Sequence, residues 1–330
     1  MTIRSLLRRI RARSHRPRRG APPLAIFLYH SVVRRPLEVE DFCFLREEEF
    51  LHQLEALRRR FRIVSLAEGA RLLAGGDLDV PTAVLTFDDG FQDNHDVVYP
   101  ALRAAGAPAT IFVCTDLVDT DGVPWYCRLH DAITRTPRRE LEWSGRRYPL
   151  DGIPARTTTA RELKSALKRL AAPALETAVD EIGRRLDAGD GSSRGVDPRF
   201  RMLSAASIRE MTREGLVEIG AHTASHAILA RLPPAAQRDE IERSIARVRA
   251  LTGTECRLFA YPNGRFEDYD GATLEILRGA GIAAAVTAES GWNDAATPPL
   301  ELLRFAIGGE PSMPLFERVL NRAEKLARGR

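Results

Sequence analysis

The sequence predicts an α/β protein built on a parallel sheet, either closed into a barrel or open and doubly wound. Two observations carry this expectation. Apolar runs of strand length alternate with segments of helical periodicity, and several of the runs end in clusters of polar residues.

The first run, residues 24–28, has no polar side chain, as expected of a strand covered on both faces, and opens into Tyr29, His30 and Ser31. Residues 47–60 place Phe50, Leu54 and Leu57 at helical spacing, with arginines following. The alternation recurs as a strand at 83–87, a helix at 97–105 and a strand at 109–114. Further along come a strand at 217–221 and a helix at about 235–251 with Ile241, Ile245, Val248 and Leu251 on one face. A strand at 258–261, a helix at 270–280, a strand at 283–287 and a short strand at 303–307 complete the series. Residues 119–203 break the rhythm. Gly, Pro and Arg are scattered through 134–156, one helical spacing appears at Leu163, Leu167 and Leu170, and 187–198 is rich in Gly, Ser and Asp, which reads as a mobile loop. This stretch is expected to be an insertion, largely helical, between two β-α units.

A chain of 330 residues can bury a sizeable core, and 44% hydrophobic with 28% charged residues exclude a disordered or fibrous protein. No apolar run approaches the roughly 20 residues of a membrane-spanning helix. The net charge of +4 is concentrated at the start, where arginines 4, 8, 9, 11, 13, 16, 18 and 19 have no acid between them; the remainder is slightly acidic. Residues 1–20 are expected to form a disordered basic leader, whose functional reading is weak contact with an anionic membrane surface, and residues 21–330 the folded domain. No nucleic-acid partner is expected. The lack of a signal-peptide apolar stretch sets the expectation of a cytoplasmic protein, at most peripheral to the inner leaflet. Cysteines 43, 114, 127 and 256 show no paired metal-ligand spacing and sit among apolar neighbours, as buried side chains in a reducing compartment would.

The residues that carry chemistry lie where the predicted strands end. Asp88 and Asp89 follow one strand and precede Gly90, and adjacent residues leaving a strand point in different directions. That suits two roles, one carboxylate on a metal and one free to handle a proton. His222 and His226 follow another strand, four positions apart, a spacing that lets both imidazoles meet one ion if the segment turns helically. Alone, an Asp-Asp-Gly is more often a turn, and an HxxxH more often incidental. Together, at strand mouths of one framework, they offer two imidazoles and one carboxylate with coordination positions left open for water and substrate, the arrangement of a catalytic ion.

On these motifs the chain resembles the polysaccharide deacetylases, the NodB-like carbohydrate esterases of family 4, over roughly residues 24–308. Thr86-Phe87-Asp88-Asp89-Gly90 is similar to the family's first motif and His222-Thr223-Ala224-Ser225-His226 to its second. The resemblance implies a distorted (β/α) barrel of about seven strands. It also implies Asp88 as general base and Asp89, His222 and His226 as ligands of a divalent ion, zinc foremost with Ni²⁺, Co²⁺ or Mn²⁺ as alternatives. The substrate it implies is an N-acetylated amino sugar in a polysaccharide, oligosaccharide or lipid-linked glycan. The third motif departs from the family pattern: in Phe259-Ala260-Tyr261-Pro262-Asn263-Gly264, Ala260 stands where an Arg is expected and Asn263 where a Tyr is expected. This form resembles a branch linked to exopolysaccharide biosynthesis, with Tyr261 and the backbone N–H groups around Asn263 as candidates for holding substrate or oxyanion. No histidine follows His226, so the late motif that supplies the general acid is missing. His30 is its natural replacement, as in the branch with an N-terminal Tyr-His pair. Arg304 is the candidate for the missing Arg, through a hydrogen bond to Asp88. Two alternatives of other classes stay open: a non-catalytic carbohydrate-binding member of the fold, and a metal hydrolase of another non-peptide C–N bond.

Overall fold

Burial on both faces explains why the central strands read as unbroken apolar runs. In a computed structural model describing residues 23–187, 197–308 and 312–328, β1 (Leu24–Tyr29) is buried at all six positions. A short pair, β2 (Ser31–Val33) and β3 (Phe44–Arg46), runs parallel beside the barrel and leads into α1 (Glu47–Arg60), whose acidic first turn and basic last turn complement the helix dipole. Next come β4 (Arg62–Val64), α2 (Leu66–Gly75) with Ser65 as its N-cap and left-handed Gly76 ending it, and β5 (Thr82–Phe87), again buried throughout. A π-turn over Asn94–Val98 precedes α3 (Tyr99–Ala105), where the periodicity predicts one continuous helix, and β6 (Ala109–Val113) follows.

The main sheet is parallel throughout. β5 pairs with β1 along its length on one side, while its other side is shared by β4 at the start and β6 at the end. The later strands β9 (Val217–Ala221), β10 (Leu258–Ala260) and β11 (Ala284–Val286) extend the sheet beyond β6, and β12 (Phe305–Ala306) pairs with β1 at the opposite edge. One stretch of chain bridges the two edges. Leu302 exchanges backbone hydrogen bonds with β11 and its flank (Leu302 N–H to Ala285 O, 2.9 Å; Thr287 N–H to Leu302 O, 2.8 Å), and Ile307 N–H donates to Leu28 O (2.9 Å). The result is the distorted (β/α) barrel expected. Alternate strand residues fill two clusters. Leu24, Ile26, Val84, Phe112, Leu258, Ala260, Ala284 and Val286 form one with Leu66, Leu72 and Leu73 of α2. The other pairs Phe27, Leu85, Ile111, Ile219 and Phe259 with helices that include α1.

The segment expected to be an insertion carries more than one helix. It comprises α4 (Trp125–Arg135), an antiparallel hairpin of β7 (Glu140–Trp143) and β8 (Arg146–Pro149), α5 (Ile153–Leu167) and α6 (Ala172–Arg185). These build a separate core from Leu129, Ile133, Leu163, Leu167 and Ile182, and that core runs on into Val33, Phe44 and Phe91 beside the barrel mouth. The chain then returns through α7 (Ala205–Arg213), with α8 (Pro234–Thr252), α9 (Gly271–Gly279) and α10 (Met313–Arg328) as the remaining helices of the described residues. The basic leader at 1–20 and most of the loop read at 187–198 lie outside the described residues. Among the described residues no helix is long and apolar enough to cross a membrane. All four cysteines are free thiols, with Cys114, Cys127 and Cys256 buried and Cys43 partly so.

Leu163, fully buried in the insertion's core, tests whether that core is integral. Leu163→Ala is expected to destabilise the protein by about 2–5 kcal/mol, measured by equilibrium urea denaturation.

Candidate active site

Asp88 leaves the mouth of β5 with its backbone N–H donating to Tyr29 O (2.9 Å), so the carboxylate is fixed beside the end of β1. Arg304 meets it from the bridging stretch, Nη1 donating to Oδ1 and Nη2 to Oδ2 at 2.7 Å each. The guanidinium is fully buried and donates as well to Thr287 O (2.6 Å) and Thr86 Oγ1 (3.1 Å), which fixes its plane. Burial alone would raise the Asp88 carboxyl, but the charges of Arg304 and His222 outweigh it and hold the group below the usual carboxylate range.

Asp89 faces elsewhere because the backbone turns sharply. Its φ is +74° and that of Gly90 +83°, and a Cβ on Gly90 would lie 2.9 Å from Val113 Cγ1. One carboxylate oxygen of Asp89, Oδ2, accepts a short hydrogen bond from the Tyr126 hydroxyl. The other, Oδ1, faces His222 Nε2 at 3.4 Å and His226 Nε2 at 3.3 Å, yet it is buried without a hydrogen-bond partner. Against burial, the two imidazoles hold the Asp89 carboxyl well below its ordinary value. Burial opposes charge on His222 too, but Asp88 and Asp89 pull its pKa upward. The site therefore favours a positive charge shared among three atoms, Oδ1 and two Nε2, and these fit a divalent cation as a carboxylate–bis-imidazole set.

The two histidines do not converge by a helical turn, as the spacing suggested. The segment is a tight loop in which Thr223 and His226 adopt φ of +61° and +64°. Glu240 of α8 straps it down, accepting from the backbone N–H groups of Ala224 (3.0 Å) and Ser225 (2.9 Å) and from Ser225 Oγ (2.8 Å). His222 Nδ1 lies 2.8 Å from Ala260 O; donation there fixes the tautomer and leaves the Nε2 lone pair facing Asp89. The two rings lie 5.1 Å apart. Cys114 is nearby, its Sγ and donor atoms of Asp89 and His222 all within 4.8 Å of one another. Its S–H points to His222 O at 3.7 Å and burial pushes the thiol well up, while His226 Nε2 lies 3.3 Å from the same Asp89 Oδ1 that His222 faces and completes the set of three.

His30, at the end of β1, is partly buried, and the charges of Asp89, Asp88, Arg304 and His222 all reach it. Burial lowers its pKa more than the carboxylates raise it. Its loop is pinned by Asn94, whose Nδ2 donates to His30 O (2.8 Å), and by Asp93, which accepts from the Ser31 hydroxyl and from Val32 N–H (3.0 Å). The Tyr261 side chain is not brought to the site. It stacks on Tyr269 at 3.9 Å, and its hydroxyl donates to Leu300 O (2.7 Å). Asn263 follows at φ +59° with Gly264 at +70°, and among the described residues no protein acceptor takes the Asn263 backbone N–H. Tyr126, Glu240 and Asn94 escaped sequence reasoning. The Trp125-Tyr126 pair reads as aromatic packing or as a surface for stacking on a sugar, with no sign of a bond to Asp89, and nothing local ties Glu240 to a loop 15 residues away.

The sequence matches the family described as polysaccharide deacetylase over residues 75–285. No curated protein matches it. In fold the chain is similar to the Streptococcus pyogenes deacetylase PplD, solved in complex with acetate, with TM-score 0.61 and 20% identity over 91% of this chain and 99% of that one. It is similar to IcaB from Ammonifex degensii, with TM-score 0.59 and 20% identity over 91% and 98% of the two chains. It is also similar to the BpsB deacetylase domain from Bordetella bronchiseptica, with TM-score 0.54 and 17% identity over 87% and 98%.

Arg304→Met, which leaves Asp88 buried and unpaired, is expected to cost about 3–5 kcal/mol at neutral pH. Because the folded Asp88 pKa lies below its unfolded value, the stability that the pair contributes is present above about pH 4 and is lost as pH falls through the folded value. The gap between wild type and variant, measured by urea denaturation across pH, should therefore narrow on acidification. A pH-independent gap would remove the ion pair as its cause.

Proposed function

Since the chain belongs to the polysaccharide deacetylase family, and is thus a hydrolase that acts on the acetamido C–N bond of N-acetylated sugars, we propose that it does so as a metal-dependent enzyme with Asp88 as its base. The observation that carries this reading is the orphaned Asp89 Oδ1 facing two Nε2 atoms, next to a carboxylate that Arg304 keeps ionised. Asp89, His222 and His226 are the residues to hold a divalent ion, zinc first, then nickel, cobalt or manganese. When bound, the ion supplies Lewis acidity to a carbonyl and lowers the pKa of water.

The chain's own groups divide the remaining work. Asp88 cannot swing toward the ion, because both of its oxygens are held by Arg304, yet each keeps a lone pair free to take a proton from the attacking water. The backbone N–H of Asn263, which no protein acceptor takes among the described residues, is the group to donate to the oxyanion as the carbonyl becomes tetrahedral. His30 is the group to donate a proton to the amine as the C–N bond breaks; burial holds its pKa below the ordinary value, which makes its charged form the stronger acid, and Asn94 fixes its backbone. The substrate we propose is the N-acetyl group of an amino sugar in a polysaccharide, oligosaccharide or lipid-linked glycan.

Asp89→Ala and His222→Ala should each abolish both bound zinc, read by elemental analysis, and acetate release from N-acetylglucosamine oligomers. Asp88→Asn should keep the zinc and lower kcat by about 10²–10⁴-fold. An Asp88→Asn protein with full activity removes Asp88 as the base.

A further inference from the structure

The inserted segment reaches the centre of the site through Tyr126. Tyr126 sits in the first turn of α4, 6% exposed, and its hydroxyl donates to Asp89 Oδ2, the oxygen turned away from the two histidines. Its ring is held from three directions. The His226 ring stands at 5.9 Å and 62°, the Trp125 ring at 5.8 Å and 90°, and Lys164 of α5 places Nζ 5.2 Å from the ring centroid. Lys164 is fixed in turn by an ion pair with Asp41, whose Oδ2 lies 3.5 Å from His130 Nδ1, and these side chains are nearly all enclosed. A carboxylate on a short side chain can offer either oxygen, or both, to a neighbouring cation. With Oδ2 committed to a buried hydroxyl donor, only Oδ1 remains directed at the two Nε2 atoms. The cation over the ring draws electron density from the phenol and strengthens the O–H as a donor.

Resting on the metal-centre reading above, we propose that Tyr126 is a positioning residue for Asp89 that selects Oδ1 as the ligand atom, so that the insertion completes the barrel's catalytic centre. On this account the segment 119–203 does more than shape substrate access. Its packing is a condition for tight metal binding, because α4 and α5 must be docked for the hydroxyl and the lysine to reach their places.

The test is Tyr126→Phe in the full chain, which removes one oxygen and keeps the ring. Zinc affinity is measured by competition with a chromophoric chelator, alongside the thermal midpoint of the metal-free protein. The expected result is a zinc Kd raised about 10–100-fold in a metal-free protein that still unfolds in one cooperative transition, its midpoint lowered by no more than the loss of one hydrogen bond, and a kcat that returns toward wild type as zinc is raised to saturation. Wild-type zinc affinity in the variant overturns the proposal. So does a loss of affinity in a metal-free protein that no longer unfolds in one cooperative transition, since that marks a packing residue. The two levels of argument separate in the controls. If wild type binds one zinc that Asp89→Ala abolishes while Tyr126→Phe binds it equally well, the metal reading stands and this inference fails. If wild type binds none, the metal reading itself fails.

Discussion

The buried pair of Arg304 and Asp88 is the constraint on which the rest of the site depends. A guanidinium with no exposure loses the whole of its hydration, and only a full set of acceptors makes that tolerable: two carboxylate oxygens, a carbonyl and a hydroxyl. Those acceptors come from the end of β5 and from the residue following β11. Arg304 itself lies on the stretch that bonds to β11 at one end and to β1 at the other. Closing the barrel and ionising Asp88 are therefore one structural event. A chain that failed to close would leave Asp88 without its cation, and a chain without the carboxylate would leave a charge in the seam.

Backbone strain follows the same map. Of the seven described non-glycine residues with positive φ, three (Asp89, Thr223 and His226) lie at the carboxylate–histidine cluster. Each such residue costs on the order of 1–3 kcal/mol, most for a β-branched side chain such as Thr223, so the surroundings must hold them. They visibly do. Thr223 O accepts from Thr115 N–H (3.4 Å) and its Oγ1 from Ala227 N–H (3.1 Å), while Glu240 takes up the two N–H groups that the turn leaves outward. The left-handed turns are what allow residues adjacent in sequence to face different partners, Asp88 toward Arg304 and Asp89 toward the histidines.

Much of this was legible in the sequence, for physical reasons that also set the limit. Parallel strands buried on both faces print themselves as apolar runs, so the strand mouths, and with them Asp88, Asp89, His222 and His226, could be placed without coordinates. The route by which the histidines meet could not, since helical spacing and a left-handed loop share the same four-residue interval. Tyr261 illustrates a second limit: a tyrosine next to a strand end looks available, but its hydroxyl had a carbonyl partner 39 residues away. Arg304 is visible only as an arginine before a short strand, and whether it is a surface charge or a buried clamp is decided by sheet closure. Tyr126 lies furthest from sequence reasoning, because its role depends on how an irregular segment docks.

Charge balance explains why the two adjacent aspartates take different parts. Asp88 carries one negative charge and Arg304 cancels it, leaving Asp88 with no need of a second cation. Asp89 has near it two imidazoles and a phenol, none of which brings a permanent positive charge, and the nearest lysine in the network, Lys164, is already committed to Asp41. An ionised carboxylate 1% exposed to solvent and lacking a cation is unfavourable. The surroundings can relieve it by protonating an imidazole, which the upward shift of His222 registers, or by admitting a cation. On the proposed reading a divalent ion would relieve it more completely, with Asp89, His222 and His226 as the residues to hold it. On the function proposed above, the position of Arg304 would set both which aspartate is free to act as a base and which one is left to hold a metal.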